Sequence, residues 1–223
     1  MKVRLLLTAF AVAGLMAVLP AAPAAAASKC SGKGAKGIIS TSSARVFTLP
    51  ASGGQERKAY ACLYSQNKRR FLGWIQECQN MTAASGFVLS GKLVGYVETV
   101  CGLIAGDQSV VVRDIKTGKI VRSANGASGT SAPNEESSTY VTDMAMNRDG
   151  GVVWIGEFDA NSGGVNGPGD NRQVWAMPGS TPQLMESSLE IVPGTLALGP
   201  TTSQGFNWFY WQSGSQARAG KLE

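Results

Sequence analysis

Three apolar segments recur along the chain at nearly constant spacing, and this repeat constrains the fold more than any other feature. Tyr96, Trp154 and Trp211 take the same place in their segments, at intervals of 58 and 57 residues. The segments are apolar at successive positions, the pattern of a strand that is buried on both faces. We therefore expect three equivalent buried strands, at residues 91–98, 151–157 and 207–211.

Further short strand segments flank each buried strand, and Gly, Asn, Asp, Ser and Pro clusters between them are typical of turns. The sequence predicts an all-β fold, a small propeller-like array of about four antiparallel blades in a single domain of residues 28–223. One blade cannot bury both of its faces, so the blades must pack on each other. A β-sandwich is the alternative fold. The predicted repeats are roughly residues 37–75, 86–122, 143–186 and 195–223.

Three motifs carry a resemblance to a known family. They are the segments 87–91 (Phe-Val-Leu-Ser-Gly), 112–119 (Val-Arg-Asp-Ile-Lys-Thr-Gly-Lys) and 149–155 (Asp-Gly-Gly-Val-Val-Trp-Ile). These motifs resemble the repeats of TolB-like bacterial β-propellers. With Cys30 and the Tyr60-Ala61-Cys62 segment, the chain is similar to secreted actinobacterial propeller-like proteins. The resemblance implies the fold and brings no catalytic residues with it.

The N-terminus has the three parts of a secretory signal peptide. Lys2 and Arg4 precede the apolar stretch 5–19, and the small residues 25–27 offer a cleavage site. The apolar stretch is short for a bilayer span, which needs about 20 residues. We therefore predict that residues 1–27 are a signal peptide and that the protein is secreted or associated with the extracellular envelope, without spanning a membrane.

Four cysteines follow the predicted cleavage site, and an even number in an exported chain indicates disulfides. We expect the pairs Cys30–Cys62 and Cys78–Cys101. The spacings match no zinc-binding pattern, and we assign no metal and no cofactor.

The chain contains no histidine. This absence excludes Ser-His-Asp and Cys-His catalysis and histidine-ligated zinc or haem. The alternative to a binding protein is a hydrolase that uses carboxylates alone, of the glycosidase kind, for which Glu98 and Glu157 follow the repeat aromatics. No acid–base pair can be assigned, so we name no catalytic residue and predict a non-catalytic binding or interaction domain.

The charge is unevenly distributed. Residues 29–70 contain nine basic residues and one acid, Glu56, a net charge of +8, whereas residues 71–223 contain nine basic and fourteen acidic residues. Such asymmetry can mark a surface for an anionic partner, and an ordinary solvated face is the alternative interpretation. For an exported protein we expect anionic cell-wall polymers or lipid headgroups rather than nucleic acid. The candidate binding residues are Lys68, Arg69, Arg70 and Trp74.

The remaining candidates have structural interpretations. Trp154, Trp208 and Trp211 fall in the apolar segments and are predicted to be core residues, whereas Trp74 lies outside a clear strand and is the tryptophan expected at the surface. The Gly-rich segment 157–171 contains Asp159 and Asp170, oxygen ligands that calcium could use. The segment lacks a complete calcium-loop pattern, and we expect a surface loop there.

Overall fold

The fold is taken from a computed structural model of the chain, which describes residues 30–52, 56–75, 82–101, 106–129, 138–160 and 170–223. The side chain of Cys101 is not among the described parts. The predicted signal peptide, residues 1–27, lies outside the described residues. Within them the protein is all-β, as predicted, and contains no helix that is long and apolar enough to cross a membrane.

Fifteen strands are described, and they group into four consecutive antiparallel units, which we name meanders 1 to 4. Meander 1 consists of β1 (Lys36–Ser40), β2 (Ala44–Pro50), β3 (Arg57–Leu63) and β4 (Lys68–Ile75). Meander 2 consists of β5 (Thr82–Ser90), β6 (Leu93–Cys101), β7 (Gly106–Asp114) and β8 (Ile120–Asn125). Meander 3 consists of β9 (Ser138–Met146), β10 (Val152–Asp159), β11 (Asn171–Met177) and β12 (Gln183–Ser187). Meander 4 consists of β13 (Ala197–Thr201), β14 (Asn207–Ser213) and β15 (Gln216–Leu222).

Single parallel bridges join the first three meanders into one mixed twelve-stranded sheet, which is not closed. One bridge pairs Trp74 of β4 with Ala83 of β5, and the other pairs Asp107 of β7 with Thr139 of β9. Meander 4 forms a separate three-stranded sheet. The first strands of the meanders contact each other in order, β1 with β5, β5 with β9 and β9 with β13.

The apolar core is divided into layers, one between each two successive meanders. The layer between meanders 1 and 2 includes Val46 and Tyr96, and that between meanders 2 and 3 includes Val110 and Trp154. The layer between meanders 3 and 4 includes Ile155 and Trp211. Meanders 2 and 3 therefore bury both faces, which explains the unbroken apolar runs of β6 and β10.

One large aromatic residue on the second strand of each meander points away from the meander that follows it. Tyr96, Trp154 and Trp211 pack in the layer shared with the preceding meander, and all three are buried. The predicted equivalence of these positions in burial is confirmed. Phe47 of β2 is a fourth member, which the sequence analysis missed. No described meander packs on Phe47.

The chain before β1 covers Phe47 instead. Cys30 forms the predicted disulfide with Cys62 of β3, and Ala35 packs in the same small cluster. Arg57 also donates a hydrogen bond of 2.8 Å to the carbonyl of Gly34. We name residues 30–35 the cap. Cys78 lies outside the described residues, so the pair Cys78–Cys101 stays a prediction.

The prediction that β14 is buried on both faces is wrong, and with it the prediction that Trp208 is a core residue. Burial alternates along β14: Phe209 and Trp211 face the core, whereas Trp208 is 41% and Tyr210 45% exposed. The reason is that, among the described residues, only meander 3 packs on this sheet, so its other face has no described partner. Alternation is the ordinary pattern of a sheet that is covered on one side.

Candidate functional site

The candidate site is the face of meander 1 that points away from meander 2. Three cross-strand rows build it, because residues directly opposite each other in an antiparallel pair share a face. One row holds Arg45, Cys62 and Arg69, the next holds Phe47, Tyr60 and Phe71, and the last pairs Lys58 with Trp74. We name Arg45, Lys58, Tyr60, Arg69, Phe71 and Trp74 the basic–aromatic face.

The aromatic rings of this face form a continuous ladder across β2, β3 and β4. The ring centroids of Phe47 and Tyr60 are 6.0 Å apart, those of Tyr60 and Phe71 5.7 Å, and those of Phe71 and Trp74 6.4 Å. The cap covers the Phe47 end of the ladder, whereas Phe71 at the other end is 46% exposed. The open part of the face therefore lies along β3 and β4.

Each cation of the face lies over one of these rings. The Lys58 ammonium is 4.4 Å from the centroid of Trp74, and the Arg45 guanidinium is 5.1 Å from that of Phe47. The Arg69 guanidinium is 5.8 Å from the ring of Tyr60. Such contacts stabilise a cation by about 0.5–1 kcal/mol at exposed sites without neutralising its charge. The rings hold the cations in place and leave them able to bind an anion.

These cations have no acidic partner within the part of the chain that the structure describes. The three ion pairs found there join Lys92 to Asp114, Arg172 to Glu157 and Lys221 to Glu223. None involves a basic residue of meander 1. The acids of the C-terminal half that are described therefore do not neutralise the basic–aromatic face.

An open cavity adjoins the face beside β1. Its volume is about 290 Å³, and Arg45 and Tyr64 line it together with residues 37–40. The Arg45 guanidinium lies over Gly37, where an added Cβ would approach it to 3.4 Å. A small anionic group could enter this cavity next to Arg45.

The structure separates the cluster of basic residues predicted at positions 68–70. Successive side chains of a strand point to opposite faces. Arg69 lies on the basic–aromatic face, whereas Lys68 and Arg70 are opposite Leu63 and Ala61, which pack towards meander 2.

Arg70 serves the junction with meander 2. It donates hydrogen bonds to the carbonyls of Ile115 (3.0 Å) and Lys116 (2.5 Å) in the turn that follows β7. Both of these partners are backbone carbonyls, so the Arg70 guanidinium has a structural role.

Trp74 differs from its prediction as well. It lies within β4 and is only partly exposed, beneath Lys58, so Trp208 is the more exposed of the two tryptophans. The sequence analysis missed Arg45, Tyr60 and Phe71. The signal that could have found them is the alternation of cations and rings two residues apart, as in Lys58–Tyr60 and Arg69–Phe71.

The carboxylates considered for hydrolysis are not brought together in a cavity. Glu157 accepts a hydrogen bond of 2.9 Å from Arg172, and Glu98 lies on β6 of a different meander. Neither carboxylate lines the cavity beside Arg45, the one beside Trp175 or the one beside Phe206. In the segment considered for calcium, Asp170 accepts a hydrogen bond from the backbone N–H of Ala160, and residues 161–169 lie outside the described residues.

Two titratable groups with shifted pKa values lie at the junction of meanders 1 and 2. Burial raises the pKa of Tyr96, although Arg113 donates a hydrogen bond to its hydroxyl. Burial acts to raise the pKa of Asp114 as well. Hydrogen bonds from the backbone N–H of Thr117 and from Lys92 outweigh that effect and leave the pKa of Asp114 below its ordinary value. Tyr96 packs in the layer between meanders 1 and 2, and Asp114 orders the turn whose carbonyls accept hydrogen bonds from Arg70.

Comparisons of the chain with protein-family models, with curated proteins and with solved structures found no match.

Proposed function

We propose that this protein is a secreted or envelope-associated, non-catalytic binding domain that holds a phosphate-rich polyanion on its basic–aromatic face. The observation that carries the proposal is that Arg45, Lys58 and Arg69 lie on one face, each over an aromatic ring and none in an ion pair with a described acid. Unpaired cations at a surface concentrate anions around them.

The shape of the face favours an extended ligand over a small molecule. The face is a sheet surface with an exposed ring at one side, Phe71, and one open cavity at the other, beside Arg45. Small-molecule sites are concave and enclose most of their ligand. A flat face that carries several separate cations instead suits repeated phosphates, which a wall polymer or a layer of anionic lipid headgroups presents.

We further propose that the four meanders are the blades of a propeller-like array. The order of contacts supports this arrangement, because the first strands of successive meanders contact each other. The innermost strands of propeller blades do the same. In a β-sandwich two sheets share one core, whereas the described residues form three separate core layers. The resemblance of the repeat motifs to TolB-like propellers points the same way.

Export is part of the proposal. The features of residues 1–27 are those of a signal peptide. The Cys30–Cys62 disulfide is compatible with export. Disulfides form and persist in oxidising compartments outside the cytoplasm.

The test is retention of the protein on isolated cell walls and, in a second arm, on vesicles containing anionic lipid, across a salt series. We expect retention at low salt that falls as salt rises, because the Debye length is about 10 Å at 0.1 M ionic strength and about 3 Å at 1 M. Retention on walls alone identifies the polymer, and retention on vesicles alone identifies the lipid headgroup.

The test variant changes Arg45, Lys58 and Arg69 to Gln, and the control changes three exposed cations outside meander 1, Lys119, Arg148 and Arg218, to Gln. Both variants lose three positive charges, so an effect of net charge alone weakens them equally. We expect only the first to lose retention, by at least about tenfold, since surface cations each contribute to polyanion binding and act together. Equal loss in both, or no retention by the unmodified protein at low salt, would refute the proposal.

A further inference from the structure

The face of meander 4 that points away from meander 3 is an aromatic surface that no part of the described chain covers. Its two large side chains, Trp208 and Tyr210, are 41% and 45% exposed. In the pairing of β14 with β15, Trp208 is opposite Lys221, Tyr210 is opposite Ala219, and Gln212 is opposite Ala217. We name this set of residues the open face: Trp208, Tyr210, Gln212, Ala217, Ala219 and Lys221.

The open face occupies positions that every other meander uses for packing. Aligned on the buried aromatics of the repeat, Tyr210 takes the place of Gly95 and Val153, which are buried. Trp208 takes the place of Leu93, which packs against meander 3. Val153 in turn packs against meander 4. The open face therefore continues the series of interfaces between successive sheets, and no described sheet completes it.

The charge of the open face differs from that of the basic–aromatic face. Its one cation, Lys221, is paired with Glu223 and lies 4.2 Å from the ring centroid of Phe206. The remaining members are neutral, and three of them are alanine or tyrosine. A neutral aromatic sheet face has no field with which to select a polyanion. The open face is instead complementary to another apolar sheet face of low charge.

A second copy of this chain offers two uncovered sheet faces as partners. Its basic–aromatic face carries three unpaired cations and is partly covered by the cap, so it is a poor match for the open face. Docking on that face would also be head to tail, and such contacts propagate into fibres unless the rotation closes a ring. Pairing of open face with open face is isologous and closes at two copies.

We propose that two copies of this protein associate through their open faces, related by a two-fold axis. Trp208 and Tyr210 of each copy are the residues expected to contribute most, since tryptophan and tyrosine are enriched among the residues that dominate protein interfaces. Because the face is apolar and its cation is internally paired, association should depend little on salt, unlike binding at the basic–aromatic face.

The experiment is sedimentation velocity of the purified protein, with its disulfides intact, from about 1 μM to about 100 μM, concentrations that span the dissociation constants of moderately stable complexes. We expect a dimer that forms within this range. Trp208→Lys places a charge in the centre of the interface and should raise the dissociation constant by at least about 30-fold, the effect of losing a dominant interface residue. Ala219→Arg, whose side chain already faces solvent, makes the same test without removing a ring.

Two further lysine substitutions are controls, with far-UV circular dichroism to verify that every variant is folded. Tyr140→Lys changes a ring that is 40% exposed on meander 3, and Phe71→Lys changes one on the basic–aromatic face. Both should leave the dimer intact. A protein that is monomeric throughout, or a dimer that both Trp208→Lys and Ala219→Arg leave intact, would overturn the proposal. Loss of the dimer in Phe71→Lys would overturn it in favour of a head-to-tail contact.

Discussion

Meander 1 and meander 4 each have one sheet face on which no described meander packs, and the two faces differ in cover and in charge. On meander 1 the cap lies over Phe47 and is tied down by the Cys30–Cys62 disulfide, while Arg57 holds the backbone of Gly34. On meander 4 the face with Trp208 and Tyr210 has no cover among the described residues. The uncapped end is nearly neutral, and the capped end carries the unpaired cations.

The difference teaches how an open array of sheets can end. Meanders 2 and 3 present apolar side chains on both faces, and the outer faces of meanders 1 and 4 take the equivalent positions without a described meander to cover them. A large exposed apolar face is unusual for a soluble monomer and marks an interaction surface. At one end the chain supplies its own cover and uses the remaining area for cations, and at the other end it leaves the aromatic residues available.

The largest effect is expected from a comparison of Trp154, in the interior of the array, with Trp208, on the open face. Trp154→Ala should lower the free energy of unfolding by about 3–5 kcal/mol, because it leaves a cavity between meanders 2 and 3. It also removes the hydrogen bond from the indole N–H to the carbonyl of Gly126. Trp208→Ala should lower it by less than about 1 kcal/mol in the monomer, since its ring faces solvent. Urea denaturation at low protein concentration measures both, and equal losses would contradict the assignment of an interior and an end.

The next effect is expected from the cap. Replacing Cys30 and Cys62 together by Ser should lower the free energy of unfolding by about 3 kcal/mol, the usual contribution of a disulfide that closes a loop of this size. The folded variant should also bind the dye ANS more strongly, because the cap no longer stays over Phe47 and Tyr60. Unchanged stability and dye binding would mean that the cap is held without the disulfide, by contacts such as that of Arg57 with Gly34.

The smallest effect is expected from a comparison of two acids, Asp114 of meander 2 and Glu223 beside the open face. The pKa of Asp114 lies below its ordinary value of 3.8. Asp114 therefore contributes stability that is fully present above pH 3.8 and is lost as the pH falls through its lower, folded-state pKa. Asp114→Asn should therefore lower stability at neutral pH and reduce the loss of stability in acid. Lys221 lowers the pKa of Glu223, but Glu223 is exposed. Exposed ion pairs contribute little to stability, so Glu223→Gln should change neither the stability at neutral pH nor the loss of stability in acid.

Acid titration of stability, followed by urea denaturation at each pH, measures the two variants side by side. An unchanged acid profile in Asp114→Asn would show that other carboxyl groups govern acid stability.

Most of the fold was predictable because its signals are local. The turn at residues 114–119 has its Asp, Thr and Gly at the positions that such a turn requires. The Asp114 carboxylate accepts a hydrogen bond from the N–H of Thr117, and Gly118 has a φ of 81°. Such turns, with apolar runs between them, predicted the strands of all four meanders. Phe47 was missed because its apolar segment is shorter than those around Tyr96 and Trp154. It nevertheless holds the equivalent position in the second strand of its meander.

The site was predictable only in part. The excess of positive charge in residues 29–70 pointed to meander 1, and Arg69 and Trp74 do lie on its outer face. The cluster at positions 68–70 misled, since three consecutive residues of a strand cannot share a face. Arg70 turned out to hold the turn after β7, a contact between residues 45 positions apart that no local pattern reveals.

The sequence by itself determined where the strands and turns lie and which side chains alternate along them, because strand periodicity and turn chemistry depend on neighbours in the chain. Only the tertiary structure decided which faces are covered. β10 and β14 carry similar apolar runs, yet Val153 of β10 is buried and Tyr210, which takes the same place in β14, is exposed, because burial depends on whether another sheet packs on that face. The physical reason is that removal of a side chain from water is a property of packing between distant segments, which the local sequence does not encode.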